Sequence, residues 1–304
     1  MNSSIDLPLV SIAVATFNGA KYLTQQLDTL VAQSYQNIEI IVSDDGSTDN
    51  TLSILEMYGR KYSNFFVYTN EEPHGVKRNF ENALKYCKGT YIAFSDQDDI
   101  WMLNKIERLV NEIGEYAAIY HNSLFIDKDE NSLNKSLGEA TNSYTGFDAR
   151  SFLLFNCVSG HALLFHRKVL HKVLPFPDAR YHDWWLAFIA TQNGGIKYLN
   201  EILVKYRQHE NSQTDYLLLK NKHEDREKIE KENIDWYTVC AKVNGKHQLL
   251  FTKWLNIYLD KNNHVWNIKI FLLLLTNMKA LFYISKKSMI SKFINLIKRS
   301  WGKS

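Results

Sequence analysis

Apolar residues follow two rhythms along the first hundred positions: short unbroken runs that suit buried strands, and three-to-four-residue recurrences that suit helix faces. Val10-Ser11-Ile12-Ala13-Val14-Ala15 reads as a strand; Thr16-Phe17-Asn18-Gly19 turns into a helix carrying Leu23, Leu27, Leu30 and Val31. Ile38–Val42 is a second strand, ending in Ser43-Asp44-Asp45-Gly46-Ser47-Thr48-Asp49. A helix from about Thr48 to Tyr62 follows, with Ser47 or Thr48 as its cap. Phe65–Tyr68 then reads as a short strand, Asn79–Tyr86 as a helix and Tyr91–Phe94 as a strand. The order βαβαβαβ predicts an α/β fold whose mostly parallel sheet is covered by helices, with ligands outside the carboxyl ends of the strands. Thr16-Phe17-Asn18, Asp44-Asp45 and Asp96-Gln97-Asp98 all fall at such ends, so they are expected to converge on one crevice.

The last of these ends is the most charged. Ser95-Asp96-Gln97-Asp98-Asp99-Ile100-Trp101 crowds three carboxylates into four residues after an apolar run. On an extended segment Asp96 and Asp98 face one way, while Asp99 turns aside to bind backbone or open a helix. Clustered oxygens suit Mg²⁺ or Mn²⁺, which share their shell with water and substrate phosphates. The plainer alternative is that Asp98 or Asp99 caps a helix running from Trp101 through Val110.

The turn after the first strand excludes several nucleotide-binding classes. Thr16-Phe17-Asn18-Gly19-Ala20-Lys21 lacks the Gly-x-Gly-x-x-Gly turn of dinucleotide sites, and no Gly-x-x-x-x-Gly-Lys-Ser/Thr loop occurs. Receiver domains and aspartyl-phosphate phosphatases also use strand-end carboxylates with Mg²⁺, but their acidic pair follows the first strand, and they stay as alternatives. The ordered set of residues 10 to 18, Ser-Asp-Asp-Gly-Ser-Thr-Asp (43 to 49), Gly75 with Arg78-Asn79, and Ser-Asp-Gln-Asp-Asp (95 to 99) resembles glycosyltransferase family 2, the inverting GT-A enzymes, over roughly residues 8 to 210. The resemblance implies that the backbone of Thr16, Phe17 and Asn18 and the carboxylates of Asp44 or Asp45 hold the nucleobase and ribose of a nucleotide sugar. It places Arg78 near the diphosphate, Asp96 on the ribose, and Asp98 on a metal that bridges the donor phosphates.

Farther on, Arg180-Tyr181-His182-Asp183-Trp184-Trp185-Leu186 sets two tryptophans beside an acid. An inverting transfer needs a base for the acceptor hydroxyl, and Asp183 fits that role and the place where the family carries its acidic base. A neighbouring indole would give a sugar an apolar face and partly desolvate the carboxylate, so His182, Trp184 and Trp185 are expected at the acceptor site. The alternative makes Asp183 a helix cap and the tryptophans core. After a short strand, Ile202–Lys205, the ending Tyr206-Arg207-Gln208-His209 resembles the rhamnosyltransferase-like subgroup. That likeness implies His209 as a second metal ligand and Arg207 as a phosphate contact. Ser159-Gly160-His161 resembles the family's small-residue loop against the donor sugar. His161, His166 and His171 recur every five residues, a spacing that shares no helix or strand face and marks no zinc site.

Composition adds bounds. The chain has 304 residues, 45% of them hydrophobic, enough for a sizeable core. Cys87, Cys157 and Cys240 have no metal or redox spacing and read as buried thiols of a reducing compartment. No basic region precedes the first apolar run, so no signal peptide is expected and a cytoplasmic site is. After about Thr214 the strand–helix alternation gives way to helices, and Lys220–Glu232 reads as a solvated mixed-charge face. The expected domains are thus a GT-A catalytic domain over 1–214, with a nucleotide-sugar half at about 8–100 and an acceptor half at about 101–214, and a helical extension over 215–304. From Lys261 onward there are nine Lys or Arg, Lys261, Lys269, Lys279, Lys286, Lys287, Lys292, Lys298, Arg299 and Lys303, and no Asp or Glu. Ile268–Leu275 is apolar but falls well short of the roughly 20 residues that span a bilayer. A basic amphipathic helix pair on an anionic membrane surface, at the inner face of the cell membrane, stands beside a helical cap or an oligomer contact. Nucleic-acid motifs are absent. The partners expected are a nucleotide-sugar donor, dTDP-L-rhamnose by subgroup likeness or a UDP-hexose, and a lipid-linked glycan of O-antigen or capsule type. Phosphoryl transfer is the rival class.

Overall fold

The computed structural model describes residues 7–71, 74–209, 226–260 and 266–301. Its first half builds the predicted alternation: β1 (Val10–Thr16), α1 (Ala20–Val31), β2 (Ile38–Asp44), α2 (Thr51–Lys61), β3 (Phe65–Thr69), α3 (Val76–Tyr86) and β4 (Tyr91–Ser95). The strands β3-β2-β1-β4 lie side by side and parallel, with Thr16 in register with Asp44 and Asp44 with Thr69. Alternation along β1 splits the core in two. Val10, Ile12 and Val14 join Leu23, Leu27 and Leu30 on one face, while Ala13 joins Phe80 and Phe94 on the other.

Two helix starts differ from expectation. The second helix begins at Thr51, with no side-chain cap, because Ser47 and Thr48 are engaged by the neighbouring strand-end loop. Trp101 is not helical: Ile100–Trp101 is a two-residue strand, β5, paired antiparallel to the later strand around Val204 and Lys205, and the helix α4 runs over Lys105–Ile113. Neither Asp98 nor Asp99 therefore opens a helix.

The sheet continues through β6 (Ala118–Ile126), flanked by β7 (Ser132–Ser136), and through short helices α5 (Leu137–Ala140) and α6 (Ser151–Leu154) to β8 (Leu163–His166), α7 (Leu170–Val173), α8 (His182–Gln192) and β9 (Ile196–Arg207). β8 runs antiparallel between β4 and β6, and β6 runs parallel to β9, which is much longer than the predicted Ile202–Lys205.

The C-terminal part is helical as expected: α9 (Arg226–Lys242), α10 (Gln248–Leu259), α11 (Ile268–Thr276), α12 (Met278–Leu281) and α13 (Met289–Ser300). Its inner face is a cap. Trp236, Phe251, Trp254, Leu274, Phe282 and Leu296 are buried in the same apolar cluster as Trp185 and Phe188, and the Trp236 indole donates to the Leu153 carbonyl at 2.9 Å. The expected boundary near residue 214, with Lys220 and Glu224 of the mixed-charge face, lies outside the described residues.

Candidate active site

The carboxyl ends of β1 and β2 are tied into one platform. Asn18 takes a left-handed backbone (φ 47°), which an asparagine tolerates, and its Oδ1 accepts from Thr48 N at 2.8 Å. Thr16 Oγ1 donates to Asp44 Oδ2 at 2.7 Å, and Asp44 also accepts from the Gly46 and Ser47 amides and the Ser47 hydroxyl. Asp44 is fully buried, so its carboxylate builds the loop instead of facing a nucleotide. Asp45 accepts from Asn70, Gly75 N and His74 Nδ1 (2.9 Å), fastening this loop to the start of α3. Above the platform the Phe17 ring is 54% exposed and leaves an apolar face open to solvent. Gln97, not singled out in the sequence, clamps the Phe17 backbone from both sides: its Oε1 accepts from Phe17 N at 2.8 Å and its Nε2 donates to Phe17 O at 3.0 Å.

That clamp brings the acidic loop against the platform. Asp99 turns inward as expected and accepts from the Arg207 amide at 3.1 Å, while its Oδ2 is buried without a partner. Ligand atoms of Asp96, Asp99 and His161 lie within 4.8 Å of one another, a grouping the five-residue histidine spacing gave no hint of. Lys105 sits beneath them, wholly buried, its ammonium donating to the His161 carbonyl at 2.6 Å and lying 3.0 Å from the Trp101 ring centroid. Both His161 ring nitrogens are within hydrogen-bond distance of serines, Ser123 Oγ at 2.8 Å and Ser159 Oγ at 3.0 Å. The more open pair is Asp98 with His209, whose Nε2 lies 2.9 Å from Asp98 Oδ2.

Burial pushes the Asp96 carboxyl up to about 7, and the charges of Asp98 and Asp183 add to it. Burial, then Asp98 and Asp96, raises Asp99 as well. Burial lowers Lys105, against the pull of Asp99 and Asp96. Crowded carboxylates with an unpartnered oxygen and an imidazole at the rim are a donor set that fits a hard divalent cation. Lys105 already places an amine under the inner group, so Asp98 and His209, with Asp96 beside them, are the residues that would hold it.

Arg207 does something other than expected. Its guanidinium donates to the Asp98 carbonyl (2.8 Å), to the carbonyls of Asp127 and Lys128 and to Gln25 Oε1 (2.7 Å), and it is buried over the Tyr22 ring. With its donors so engaged it braces the acidic loop from behind, where a phosphate contact was expected of it. Arg78 is likewise turned to Glu81 (2.8 Å), Asp178 (2.7 Å) and the Phe176 carbonyl, linking α3 to the loop before α8, and not into the site.

Asp183 lies in the first turn of α8 but does not cap it; its carboxylate accepts from its neighbour's amide, Trp184 N, and from Gly160 N at 3.1 Å. Burial lifts it to about 7, and those two amides hold it back. Gly160 is needed for that approach: a Cβ there would stand 2.9 Å from His182 Nε2. Two expected acceptor residues, His182 and Trp185, are placed otherwise. His182 is buried among Phe80, Phe94 and Phe176, its ring pushed down to about 3 by burial, and so is a neutral packing group. Trp185 is core, its indole donating to the Val173 carbonyl. Trp184 is half-buried, donating to the Phe152 carbonyl and packing on Trp236 under Arg180.

Residues 11–174 match the family described as glycosyl transferase family 2. The chain belongs to that family. As a family 2 protein it is a glycosyltransferase, and it is similar over most of its length to others so named. An uncharacterized glycosyltransferase of Rickettsia prowazekii is 29% identical over 94% of this chain and 91% of the relative. The Escherichia coli enzyme UDP-Glc:alpha-D-GlcNAc-diphosphoundecaprenol beta-1,3-glucosyltransferase WfgD is 31% identical over 67% of this chain and 79% of its own. Among solved structures, Staphylococcus aureus TarS 1–349 in complex with UDP-GlcNAc superposes with a TM-score of 0.60 at 19% identity, over 94% of this chain and 79% of that one. Mannosyltransferase PcManGT from Pyrobaculum calidifontis, in complex with GDP-Man and Mn²⁺, gives 0.56 at 16% identity, over 96% and 86%. These likenesses establish the GT-A fold of this family 2 chain with its C-terminal helical region.

Proposed function

We propose that the protein transfers a sugar, with inversion, from a nucleoside-diphosphate sugar to a lipid-linked glycan during synthesis of a bacterial surface polysaccharide such as O-antigen or capsule. The observation that carries this reading is the meeting of Asp96, Asp98 and Asp99 with a fourth carboxylate, Asp183, whose proton affinity burial raises to about 7. In the transfer, the acceptor oxygen bonds to the anomeric carbon as the bond from that carbon to the diphosphate breaks, the electron pair leaving with the diphosphate. Asp183 takes the hydroxyl proton, its carboxylate aimed by the amides of Gly160 and Trp184. The exposed Phe17 ring offers a stacking face for the nucleobase, and Thr16, Asn18 and Asp45 frame the ribose side. Mg²⁺ or Mn²⁺ on Asp98 and His209 would offset charge on the leaving diphosphate. Arg207 and Gln97 fix the loop that carries these ligands.

A UDP-hexose is the donor favoured by similarity to WfgD, and that relative's name also supports a lipid-diphosphate acceptor. dTDP-L-rhamnose is the second reading, supported by the Tyr206–His209 ending with His209 seated on Asp98. A lipid-linked acceptor implies work at the inner face of the cell membrane, in peripheral contact. A panel of nucleotide sugars offered with a lipid-diphosphate-linked acceptor, with the product anomer read by proton NMR, tests the proposal. Transfer from one donor class with inversion supports it; retention of configuration, or hydrolysis of nucleoside triphosphates in place of transfer, overturns it.

A further inference from the structure

Helix α13 is turned outward. Of its apolar residues Leu296 is buried, whereas Met289 (67% exposed), Ile290 (75%), Phe293, Ile294 and Ile297 form an open stripe. Amphipathic helices of soluble proteins bury such stripes. On α11, Ile270, Leu273 and Leu274 pack inward while Ile268, Leu272 and Leu275 are exposed at a spacing that keeps them on one face. The stripes adjoin: Phe271 meets Phe293 with ring centroids 6.2 Å apart, and the exposed Trp266 and Trp301 are bridged through their backbones. The result is one contiguous apolar face rimmed by two tryptophans, large for a surface that faces only water.

The segment that carries it has charge of one sign. Residues 261–304 contain nine basic and no acidic residues. Among the described residues no ion pair involves Lys269, Lys279, Lys287, Lys292 or Lys298. A groove of about 910 Å³ shares Leu275 and Met289 with the face and is lined further by Lys279, Lys286 and Lys292. An apolar face ringed by unpaired cations is complementary to a bilayer carrying anionic headgroups, where the stripe enters the acyl boundary and the lysines meet phosphates. A symmetric contact with a second copy would press this cationic rim against itself.

We infer that α11 and α13 form a membrane-docking face which lies in the plane of an anionic bilayer, while their inner sides cap the catalytic core. The inference deepens the lipid-linked-acceptor reading and rests on it for its purpose, so donor hydrolysis is measured beside binding to let the two fail separately. Because the inner sides are core, point variants are preferable to truncation. The full chain is sedimented with phosphatidylglycerol–phosphatidylcholine vesicles and with phosphatidylcholine alone, at low and high salt. Wild type should pellet with the anionic vesicles, in part resisting salt. Lys287→Gln with Lys298→Gln should weaken binding about 25-fold, each cation near an anionic surface being worth about a factor of five. Ile290→Asp with Ile294→Asp should remove the salt-resistant part, and all variants should hydrolyse donor at the wild-type rate. Equal pelleting with neutral vesicles, no pelleting with either, or a dimer in light scattering that the isoleucine variant dissociates would overturn the inference. Vesicle binding by a chain that releases nucleoside diphosphate from no donor, with Mn²⁺ and a lipid-linked acceptor present, would support the face and overturn the catalytic reading.

Discussion

Asp183→Asn separates chemistry from architecture. The amide keeps the carboxylate's shape and can still accept from Trp184 N, but it turns an N–H toward Gly160 N, where the carboxylate accepts at 3.1 Å. Losing that bond costs about 1–3 kcal/mol. Against this, the carboxyl is lifted from 3.8 to about 7, chiefly by burial. A shift of that size corresponds to roughly 4 kcal/mol of penalty on the ionised form, and water at the half-buried group trims it to about 2–3 kcal/mol. Since the folded-state value lies above the unfolded one, the penalty is absent below about pH 4, grows as pH rises toward 7, and is full above. At pH 8 the two terms nearly cancel, leaving the variant between about 1 kcal/mol less and about 2 kcal/mol more stable than wild type, and at pH 4 it should be the less stable of the two. Turnover should fall by about two to four orders of magnitude, the usual contribution of a general base, or roughly 3–5 kcal/mol on the barrier. Wild-type activity should rise with pH through about 7 and level off, a limb that the variant lacks. Calorimetric binding of nucleoside diphosphate with Mn²⁺ should stay within about twofold if the residue serves the acceptor hydroxyl, as proposed, and not the donor. Donor affinity falling in step with turnover, or wild-type turnover flat from pH 5 to 9, would refute the assignment.

Other variants probe the remaining parts. Asp98→Ala should abolish transfer and remove the metal-dependent part of donor binding in calorimetry, leaving His209 without the carboxylate 2.9 Å away; full transfer by this variant would place the cation elsewhere. Arg207→Met should lower stability by about 3 kcal/mol in denaturant titration, because the buried guanidinium's four partly buried oxygen partners lose a charged donor; a stable fold with only weakened donor binding would support Arg207 as a phosphate contact. Gly160→Ala should cost about 1–3 kcal/mol in thermal unfolding and reduce turnover, since its Cβ would stand 2.9 Å from the buried His182 ring beside Asp183; wild-type behaviour would show that this approach matters little.

Much of the first hundred residues was legible because strand and helix periods are local properties. The run Val10–Ala15, the leucines of α1 and the strand-end positions of Thr16, Asp44 and Asp96 stand where the pattern put them. Partner choice was less legible. Nothing in Asp44 or Arg207 as letters tells that one is satisfied by its own loop and the other by carbonyls brought from Asp98, Asp127 and Lys128, which meet only after the sheet forms. Lys105 and Gln97 were missed as site-builders for the same reason, although Gln97 stood inside the acidic motif itself, and His161, named with the Ser159-Gly160 loop, was not expected beside Asp96 and Asp99. The paired tryptophans divided as helix geometry requires, with Trp185 inward and Trp184 at the side, but the neighbour that meets Trp184 is Trp236 of α9, far along the chain. In the C-terminal helices, a cap and a membrane face looked like alternatives because the sequence shows how apolar a helix is, not how many of its sides find partners; α11 and α13 have apolar residues on both.

The central claim is that the strand-end carboxylates form a cation-dependent nucleotide-sugar site. Release of nucleoside diphosphate from a nucleotide-sugar panel, by the wild-type chain in excess Mn²⁺ and again in excess chelator, tests it most directly. The expected result is release from one class of donor, rising when acceptor is added and lost in chelator. Undiminished release in chelator, or none from any donor in Mn²⁺ with a lipid-linked acceptor present, would contradict it.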